Sequence, residues 1–393
     1  MFFHHLLPLS LFLLPIISAS QTTLNTLFNS LPTCPNPWSL PPLCPTPRPD
    51  PNSDDDSPDC IFTSLPFHSQ GISLITTPNL AASLIPTILS RSSSSSPPSS
   101  VPWKVSPLPG RGFGLLATQK IPKHSRIMLD FPVLVVRIDF INGDGYSAKQ
   151  KKKMLEEAVD RLGDEIKGKV LSLSRSREAN EKDGVILNIL KTNGFGIDVD
   201  GVEHLGLYLE GSRVNHNCRP NAFWRYIRSE LATEVISLRT IQPGEEIAHS
   251  YVPLGYVHKE RKAVLRQWGF QCRCALCSAP PAERQLADSR RERILDIHQI
   301  LSKASDLPST RRVDELVKEA ITLIELEELE PQFVEYYAQF AKAYLMINEL
   351  KKAREYVKTA DEMWLFYGGE EHENLEGMRE LWGMLEEAEE GEY

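Results

Sequence analysis

Runs of apolar and β-branched residues along the middle of this chain predict short strands. These residues favour the pleated, half-buried surface of a sheet, and here Gly and Pro punctuate the short runs. The predicted strands lack a regular alternation with helices, which favours a compact β-rich domain over a parallel α/β sheet. They cover residues 113–118, 128–138, 195–199, 222–226, 234–238 and 246–251.

A helical pattern interrupts these strands. Within residues 146–173 apolar positions recur every four residues, which places them on one face of a helix. A second helical segment is predicted over residues 184–192, before an Asn-Gly turn. Together the two segments predict a helical insertion over about residues 143–195. The recurring residues of the first segment are Met154, Ala158, Leu162 and Ile166.

After Pro281 the pattern becomes helical throughout. Small and aromatic residues recur over residues 337–360 in a way that resembles a tetratricopeptide-type helix pair, and a generic helical bundle is the alternative. The predicted fold class is therefore α+β, with a β-rich domain followed by an all-α, tetratricopeptide-like domain over residues 281–393. The predicted helices cover residues 290–303, 313–329, 333–347, 351–367 and 372–385.

The first 102 residues have a different character. Residues 1–20 contain an almost wholly apolar run that ends in Ser-Ala-Ser, which predicts a secretory signal peptide; a start-site artefact or a short anchor is the alternative. Residues 21–102 are rich in Pro and Ser, and such composition buries too little apolar area to offset the entropy of ordering. We therefore predict a disordered linker over residues 21–102 and an ordered domain from Trp103.

Composition and charge exclude some classes of protein. The 393 residues allow about two or three domains, and 41% hydrophobic with 24% charged residues is ordinary for a globular protein. The net charge of −9 argues against nucleic-acid binding through the whole surface, and no direct nucleic-acid binding is predicted. Beyond the leader, no apolar run reaches the ~20 residues that span a membrane.

The cysteines fall into two groups. Cys34, Cys44 and Cys60 lie in the Pro-rich segment, where one disulfide with a free thiol and three free thiols are both open. The other four cysteines lie in the body of the chain.

Three cysteines of the second group are closely spaced. Cys272, Cys274 and Cys277 lie within six residues, and a tetrahedral zinc ion needs one further ligand. Cys218 is the other cysteine of the body, so the four predict a Cys₄ site. Since no ligand position is left open, the zinc would be structural. Buried free thiols or disulfides are the alternative.

Two further motifs carry little information separately. The stretch GRGFG at residues 110–114 precedes a predicted strand, and a tight hairpin explains it as well as a ligand-binding loop does. The stretch PGEEIAHSY at residues 243–251 predicts a turn and a strand, in which Tyr251 alone is typical of a packed aromatic residue.

The order of the motifs is more specific than any one of them. GRGFG, NHNCRPN at residues 215–221, GEEIAHSY and FQCRCALC at residues 270–277 follow one another along the chain. This combination resembles the SET-domain methyltransferases with a post-SET zinc segment at residues 270–278. The helical insertion and helical C-terminal domain make residues 103–278 most similar to the SET–MYND branch and related fungal SET proteins. No MYND zinc finger is visible, because residues 140–195 contain no cysteine.

The resemblance implies a protein-lysine N-methyltransferase with S-adenosylmethionine as cofactor and Zn²⁺ as a structural ion. Tyr251 would be the catalytic residue, and Trp268 with Tyr251 would line the channel for the substrate lysine. Cys218 and the three later cysteines would bind the zinc. The residues implied to bind the cofactor are Arg111, Gly112, Phe113, Asn215, His216 and Phe270.

A catalytically inactive SET scaffold is the alternative function, with a protein partner docked on the helical C-terminal domain. The intact Asn215-His216 pair, Tyr251 and Phe270 favour the enzyme. The resemblance implies a nuclear or cytoplasmic location, whereas the signal-like leader implies secretion.

Overall fold

The computed structural model describes residues 37–47, 57–91, 101–175, 183–307, 309–371 and 374–391. The predicted signal peptide over residues 1–20 and the thiol of Cys34 lie outside them. All the elements given below belong to one compact unit, Trp38–Tyr393.

Within the described residues the strands are β1 Cys60–Ser64, β2 Ile72–Thr76, β3 Trp103–Leu108, β4 Gly112–Ala117, β5 Arg126–Asp130, β6 Pro132–Arg137, β7 Phe195–Val199, β8 Val202–Tyr208, β9 Asn215–His216, β10 Ala222–Ile227, β11 Ala232–Ser237 and β12 Glu246–His249. The helices are α1 Pro78–Ser83, α2 Ile85–Ser90, α3 Ile138–Asn142, α4 Ala148–Asp160, α5 Asp164–Leu171, α6 Val185–Asn193, α7 His258–Leu265, α8 Ala275–Ser278, α9 Pro281–Leu301, α10 Thr310–Leu326, α11 Phe333–Met346, α12 Leu350–Gly368 and α13 Asn374–Glu390.

Sheet pairing brings distant motifs together. In the described residues the strands form sheets of order β1-β2-β6-β8-β7, β10-β11-β5 and β3-β4-β12-β9. The short strand β9 pairs in parallel with β12, so that Asn215 lies opposite Ala248 and His216 opposite His249. The other edge of β12 pairs with β4. The NHNCRPN motif, the strand that leads to Tyr251 and the GRGFG hairpin are therefore neighbours in one sheet.

The prediction of a disordered linker over residues 21–102 is wrong for a large part of that segment. β1 and β2 pair with each other, and β2 extends the sheet by pairing in parallel with β6. Every residue of β1 and β2 is buried, the Ser and Thr residues included, so neither strand has a solvent-facing polar side. The composition averaged over 82 residues does not reveal these two short strands, which lie between Pro- and Ser-rich stretches. A disulfide joins Cys44 to Cys60, which excludes the alternative of three free thiols.

Two predicted elements are divided in the structure. Residues 128–138 form parts of two strands, β5 and β6, because the chain leaves one sheet at Phe131 and enters another. The helix predicted over residues 146–173 is two helices, α4 and α5, separated at Gly163, whose φ is +85°. Helices α4, α5 and α6 bury their apolar faces against the sheet that contains β6 and β8.

The C-terminal region is helical, as predicted, and α9 begins at Pro281, nine residues before the predicted start. Its helices share one hydrophobic core, in which the rings of Tyr344 and Tyr356 stack at 5.5 Å. The predicted α+β class is confirmed, and the likeness to tetratricopeptide repeats stays a prediction. Each helix in the described part of the chain is too short or too polar to span a lipid bilayer.

Candidate active site

The four cysteine sulfurs predicted to bind zinc lie close together. All their Sγ atoms are within 4.8 Å of one another. Cys218 Sγ lies 4.0 Å from Cys272 Sγ and 3.6 Å from Cys277 Sγ. Four sulfurs bound to one tetrahedral zinc ion at ~2.3 Å would be about 3.8 Å apart. The spacing of the thiols therefore fits such an ion.

The chain after Phe270 turns tightly, so that three of these cysteines face one point. The backbone N–H of Cys274 points at Cys272 Sγ over 3.4 Å, and the N–H of Cys277 points at Cys274 Sγ over 3.5 Å. Thiol hydrogen bonds from Cys218, Cys272 and Cys277 lower the pKa of Cys274. The same contacts raise the pKa of Cys218, so the four thiols titrate together as one cluster, and the thiolate is the form that binds a metal.

The glycine motif forms the turn between β3 and β4. Gly112 has a φ of +74°, a conformation that glycine adopts without strain. At Gly114 a Cβ would lie 2.5 Å from Leu108 Cδ1 and 2.6 Å from Asn215 Nδ2. The missing side chain lets the Asn215 amide donate to the carbonyl of Phe113 at 3.2 Å. The hairpin and the NHNCRPN motif therefore pack in direct contact.

The side chain of Arg111 fixes this contact from the other side. Its guanidinium pairs with Glu246 at 2.9 Å and donates to the carbonyl of His216 at 2.7 Å. Glu246 also accepts from the Asn215 amide at 2.9 Å. The resemblance implied a cofactor contact for Arg111, and the structure gives its side chain a further role, which is to link the GRGFG hairpin to β9 and β12.

Both ring nitrogens of the buried His216 have partners. The backbone N–H of Tyr251 donates to Nδ1 at 3.0 Å, so Nδ1 is unprotonated and Nε2 carries the hydrogen of a neutral ring. Nε2 lies 3.2 Å from Cys218 Sγ. Burial lowers the pKa of His216 to about 4, in agreement with a neutral ring. The imidazole therefore braces Tyr251 against Cys218.

Aromatic rings converge on Tyr251. Its ring centroid lies 5.3 Å from that of Trp268, 4.9 Å from that of His249 and 6.3 Å from that of Phe270. Tyr251 and Trp268 line a cavity of about 330 Å³. The Tyr251 hydroxyl donates to the carbonyl of Val214 at 2.9 Å. Burial raises the pKa of Tyr251, so the hydroxyl stays neutral and keeps its proton.

Two phenylalanines of the predicted site remain exposed at the surface. Phe113 is 52% exposed and Phe270 is 38% exposed. The guanidinium of Arg213 lies 5.7 Å from the ring centre of Phe113, and the ring centre of Phe270 lies 6.3 Å from that of His216. Phe270 lines a separate cavity of about 380 Å³ together with Cys272 and Cys277, and an exposed aromatic side chain in such a place is typical of a ligand-binding surface.

Other residues of the cavity were not singled out from the sequence. Phe195, Trp224 and His249 also line it, and Phe195 packs edge-on against Trp224 at 5.0 Å. The alternation along β10 predicts that Trp224 and Phe223 point to opposite faces. It does not predict which face borders the cavity, because that depends on the pairing of separate sheets.

The side chain of Asn221 is buried and joins the NHNCRPN loop to β12. Its Nδ2 donates to the carbonyl of Glu246 at 2.8 Å, and its Oδ1 accepts from the N–H of Ala248 at 2.9 Å.

We expect Asn221→Ala to lower the free energy of unfolding by about 3 kcal/mol, because two buried backbone groups lose their partners. Urea denaturation measures this. In the matched variant Asn217→Ala, which removes a local turn contact to Arg219, the loss should stay below about 1 kcal/mol. Equal losses would contradict the assignment.

The buried ring of His249 predicts a dependence of stability on pH. Burial and then the nearby His216 lower the pKa of His249 from 6.5 to about 3. The unfolded chain therefore binds a proton here below pH 6.5 that the folded chain does not, and the free energy of unfolding falls as the pH falls towards 3. His249→Asn keeps a donor for the carbonyl of Ser250 and does not titrate. Its melting temperature should drop less between about pH 7 and about pH 5 than that of the wild type. An equal drop would mean that His249 is not the group responsible.

Comparison with known proteins agrees with this geometry. Residues 112–252 match the SET domain family. The match begins at the glycine turn and ends just after Tyr251, so it contains the β4, β9 and β12 contacts described above. Residues 112–252 are therefore a SET domain within a longer chain.

Its relatives include lysine methyltransferases. The chain is 30% identical over 204 residues to the histone-lysine N-methyltransferase set5 of Schizosaccharomyces pombe, a match that covers 51% of this chain and 58% of that protein. It is 29% identical over 186 residues to the N-lysine methyltransferase SMYD2 of Gallus gallus, covering 44% of this chain and 39% of the relative. The SET domain is thus related to the SMYD branch, and the chain spans less than two thirds of the length of these relatives.

Proposed function

We propose that this chain is an S-adenosylmethionine-dependent protein-lysine N-methyltransferase, acting on a histone or non-histone lysine. The observation that carries the proposal is the convergence of Tyr251, Trp268 and Phe270 beside the joined GRGFG and NHNCRPN motifs. The names of two relatives, a histone-lysine N-methyltransferase and an N-lysine methyltransferase, support the same reaction class.

The residues present fit the cofactor. The exposed ring of Phe270 offers an aromatic face for an adenine, and the turn at Gly112 has no atom within 4 Å of where a Cβ would stand. The aromatic faces of the cavity suit a positively charged sulfonium group. When bound, S-adenosylmethionine supplies an electrophilic methyl group.

The contribution of the chain is to position the lysine and to exclude water. Phe195, Trp224 and Trp268 form apolar walls of the cavity that would pack against the methylene groups of a lysine side chain and keep water from its amine, which must be neutral to attack. Alignment of the two reacting groups lowers the entropic cost of transfer. The Tyr251 hydroxyl, held by the Val214 carbonyl, fixes one side of the path of the nucleophile.

A structural zinc ion at the four cysteines would complete the site. All four positions of a tetrahedral ion would be protein sulfurs, so none would be left for substrate. The ion would join the segment of Cys272, Cys274 and Cys277 to the loop of Cys218. In this way it would hold Phe270 near His216.

The test is incubation of the purified chain with methyl-labelled S-adenosylmethionine and a cell extract, followed by mass spectrometry of labelled proteins. Label on lysine side chains that depends on Tyr251 is the expected result. Calorimetric titration with S-adenosylmethionine is run alongside. Tight cofactor binding without any transfer would contradict the enzyme and favour the scaffold function, with the tetratricopeptide-like helices as the docking surface for a protein partner.

A further inference from the structure

Glu327 is a wholly buried carboxylate that meets three guanidinium groups. It follows the last residue of α10, in the C-terminal helical region. Its oxygens lie 3.0 Å from Arg219, 3.1 Å from Arg290 and 3.5 Å from Arg291. Arg290 and Arg291 belong to α9, whereas Arg219 belongs to the SET domain. Glu327 therefore connects the helical region to the loop that carries Cys218.

Arg291 makes the second connection, and it does so from a fully buried position. Its guanidinium donates to the carbonyl of Cys218 at 3.2 Å, to that of Tyr256 at 3.4 Å and also to that of Leu254. Cys218 is a ligand of the candidate zinc site, and the other two carbonyls belong to the loop that follows Tyr251. One side chain of α9 thus holds both loops at a fixed separation.

The buried charged side chains in this region are stabilised by pairing with one another. Arg291 and Arg261 are both buried, and Glu327 is the wholly buried carboxylate that faces the first of them. A buried charge is tolerated where it is paired and its hydrogen bonds are satisfied. A zinc ion bound by four thiolates would carry a net negative charge beside these cations. The planar fork of arginine suits several acceptors at once, which a lysine ammonium cannot reproduce.

We propose that Arg291 and Glu327 are positioning residues of the active site, through which the helical region sets the spacing of the Cys218 loop and the Tyr251–Tyr256 loop. The kinetic and zinc-transfer consequences rest on the proposed function, whereas the exchange consequence does not. The pair acts through the backbone of the loops and touches no reacting atom. Its loss is expected to loosen both loops together.

The test variant replaces both members of the pair by apolar residues, Arg291→Met with Glu327→Leu. Apolar replacement of a buried ion pair often preserves folding, and Arg219 and Arg290 are partly exposed, so water can solvate them. The matched control is Arg293→Met with Glu319→Leu. This pair joins the same two helices at 2.7 Å, is about one third exposed and has no contact with the loops in the described structure.

Three measurements compare the test variant and the control variant with the wild type. For the test variant we expect transfer of zinc to a chelator to be about ten-fold faster and the KM for S-adenosylmethionine to rise about ten-fold, with a smaller change in kcat. Hydrogen–deuterium exchange at residues 254–257 should also accelerate. The control variant should match the wild type in all three. A folded test variant that matches the control in zinc transfer and exchange would overturn the proposal.

Arg291→Lys keeps the test decisive if the double variant does not fold. It keeps the ion pair with Glu327 but cannot reach the three carbonyls as a fork. Faster exchange at residues 254–257, with an unchanged melting temperature, supports the positioning role, and unchanged exchange overturns it. Exchange requires no methyl transfer, so an inactive wild-type chain would contradict the proposed function without deciding this inference.

Discussion

Cys218→Ala should abolish zinc binding and weaken the binding of S-adenosylmethionine by at least about a hundred-fold. Structural zinc sites contribute about 10–16 kcal/mol of apparent binding free energy, and three remaining thiolates do not close a tetrahedral site. Without the ion, the segment of Cys272 to Cys277 has no fixed attachment to the loop next to His216. Phe270 would then leave the cofactor site. Elemental analysis of the purified variant and calorimetric titration with the cofactor measure the two losses.

The control for this experiment removes a cysteine elsewhere. Cys44→Ala breaks the disulfide with Cys60, which lies outside the cluster, and should retain one zinc ion per chain. Tight cofactor binding by a zinc-free Cys218→Ala chain would show that the cysteine cluster and the cofactor site are independent of each other. Since His216 Nε2 also contacts Cys218 Sγ, Cys218→Ala should also disturb the hydrogen bond from the Tyr251 backbone to His216 Nδ1.

Tyr251→Phe should leave the fold intact and lower kcat by about 10²–10³-fold, the usual cost of removing one positioned polar group from an active site. The phenyl ring keeps the contacts with Trp268 and His249, so the melting temperature and the KM for S-adenosylmethionine should change little. What is lost is the hydroxyl that Val214 orients. Single-turnover measurement of methyl transfer separates this chemical effect from binding.

Tyr226→Phe is the matched control, because it removes another buried tyrosine hydroxyl. That hydroxyl contacts no polar partner in the described residues and lies outside the cavity lining. The activity of the Tyr226→Phe chain should equal that of the wild type. Undiminished transfer by a well-folded Tyr251→Phe chain would remove Tyr251 from the catalytic role.

The parts of this protein that the sequence predicts well are those set by local spacing. Cys272, Cys274 and Cys277 are close in sequence, so their convergence needs only a tight turn. The strands near Tyr251 have clear boundaries at Pro and Gly. The four-residue period of apolar positions predicts the helical insertion. The period does not reveal its interruption at Gly163, where the backbone has a positive φ.

The parts that the sequence does not predict depend on contacts between distant elements. Phe195 and Trp224 face the same cavity from different sheets, and nothing in either strand alone indicates this. Glu327 lies 108 residues from Arg219, in an acidic helical region where a charged side chain is usually exposed to solvent. The second contact of His216, with Cys218 Sγ, likewise depends on how the loop folds.

Because β2 pairs in parallel with β6, the folding unit begins well before the segment that matches the family. A fragment that began at Trp103 would contain the whole matched segment, residues 112–252, yet it would lack β1 and β2. The buried strand β6 would then become a free sheet edge whose apolar side chains and backbone groups face water. Such edges recruit other chains. Fragments trimmed to the matched segment are therefore expected to self-associate through β6, and expression of this protein for study should retain the residues from Trp38 onward.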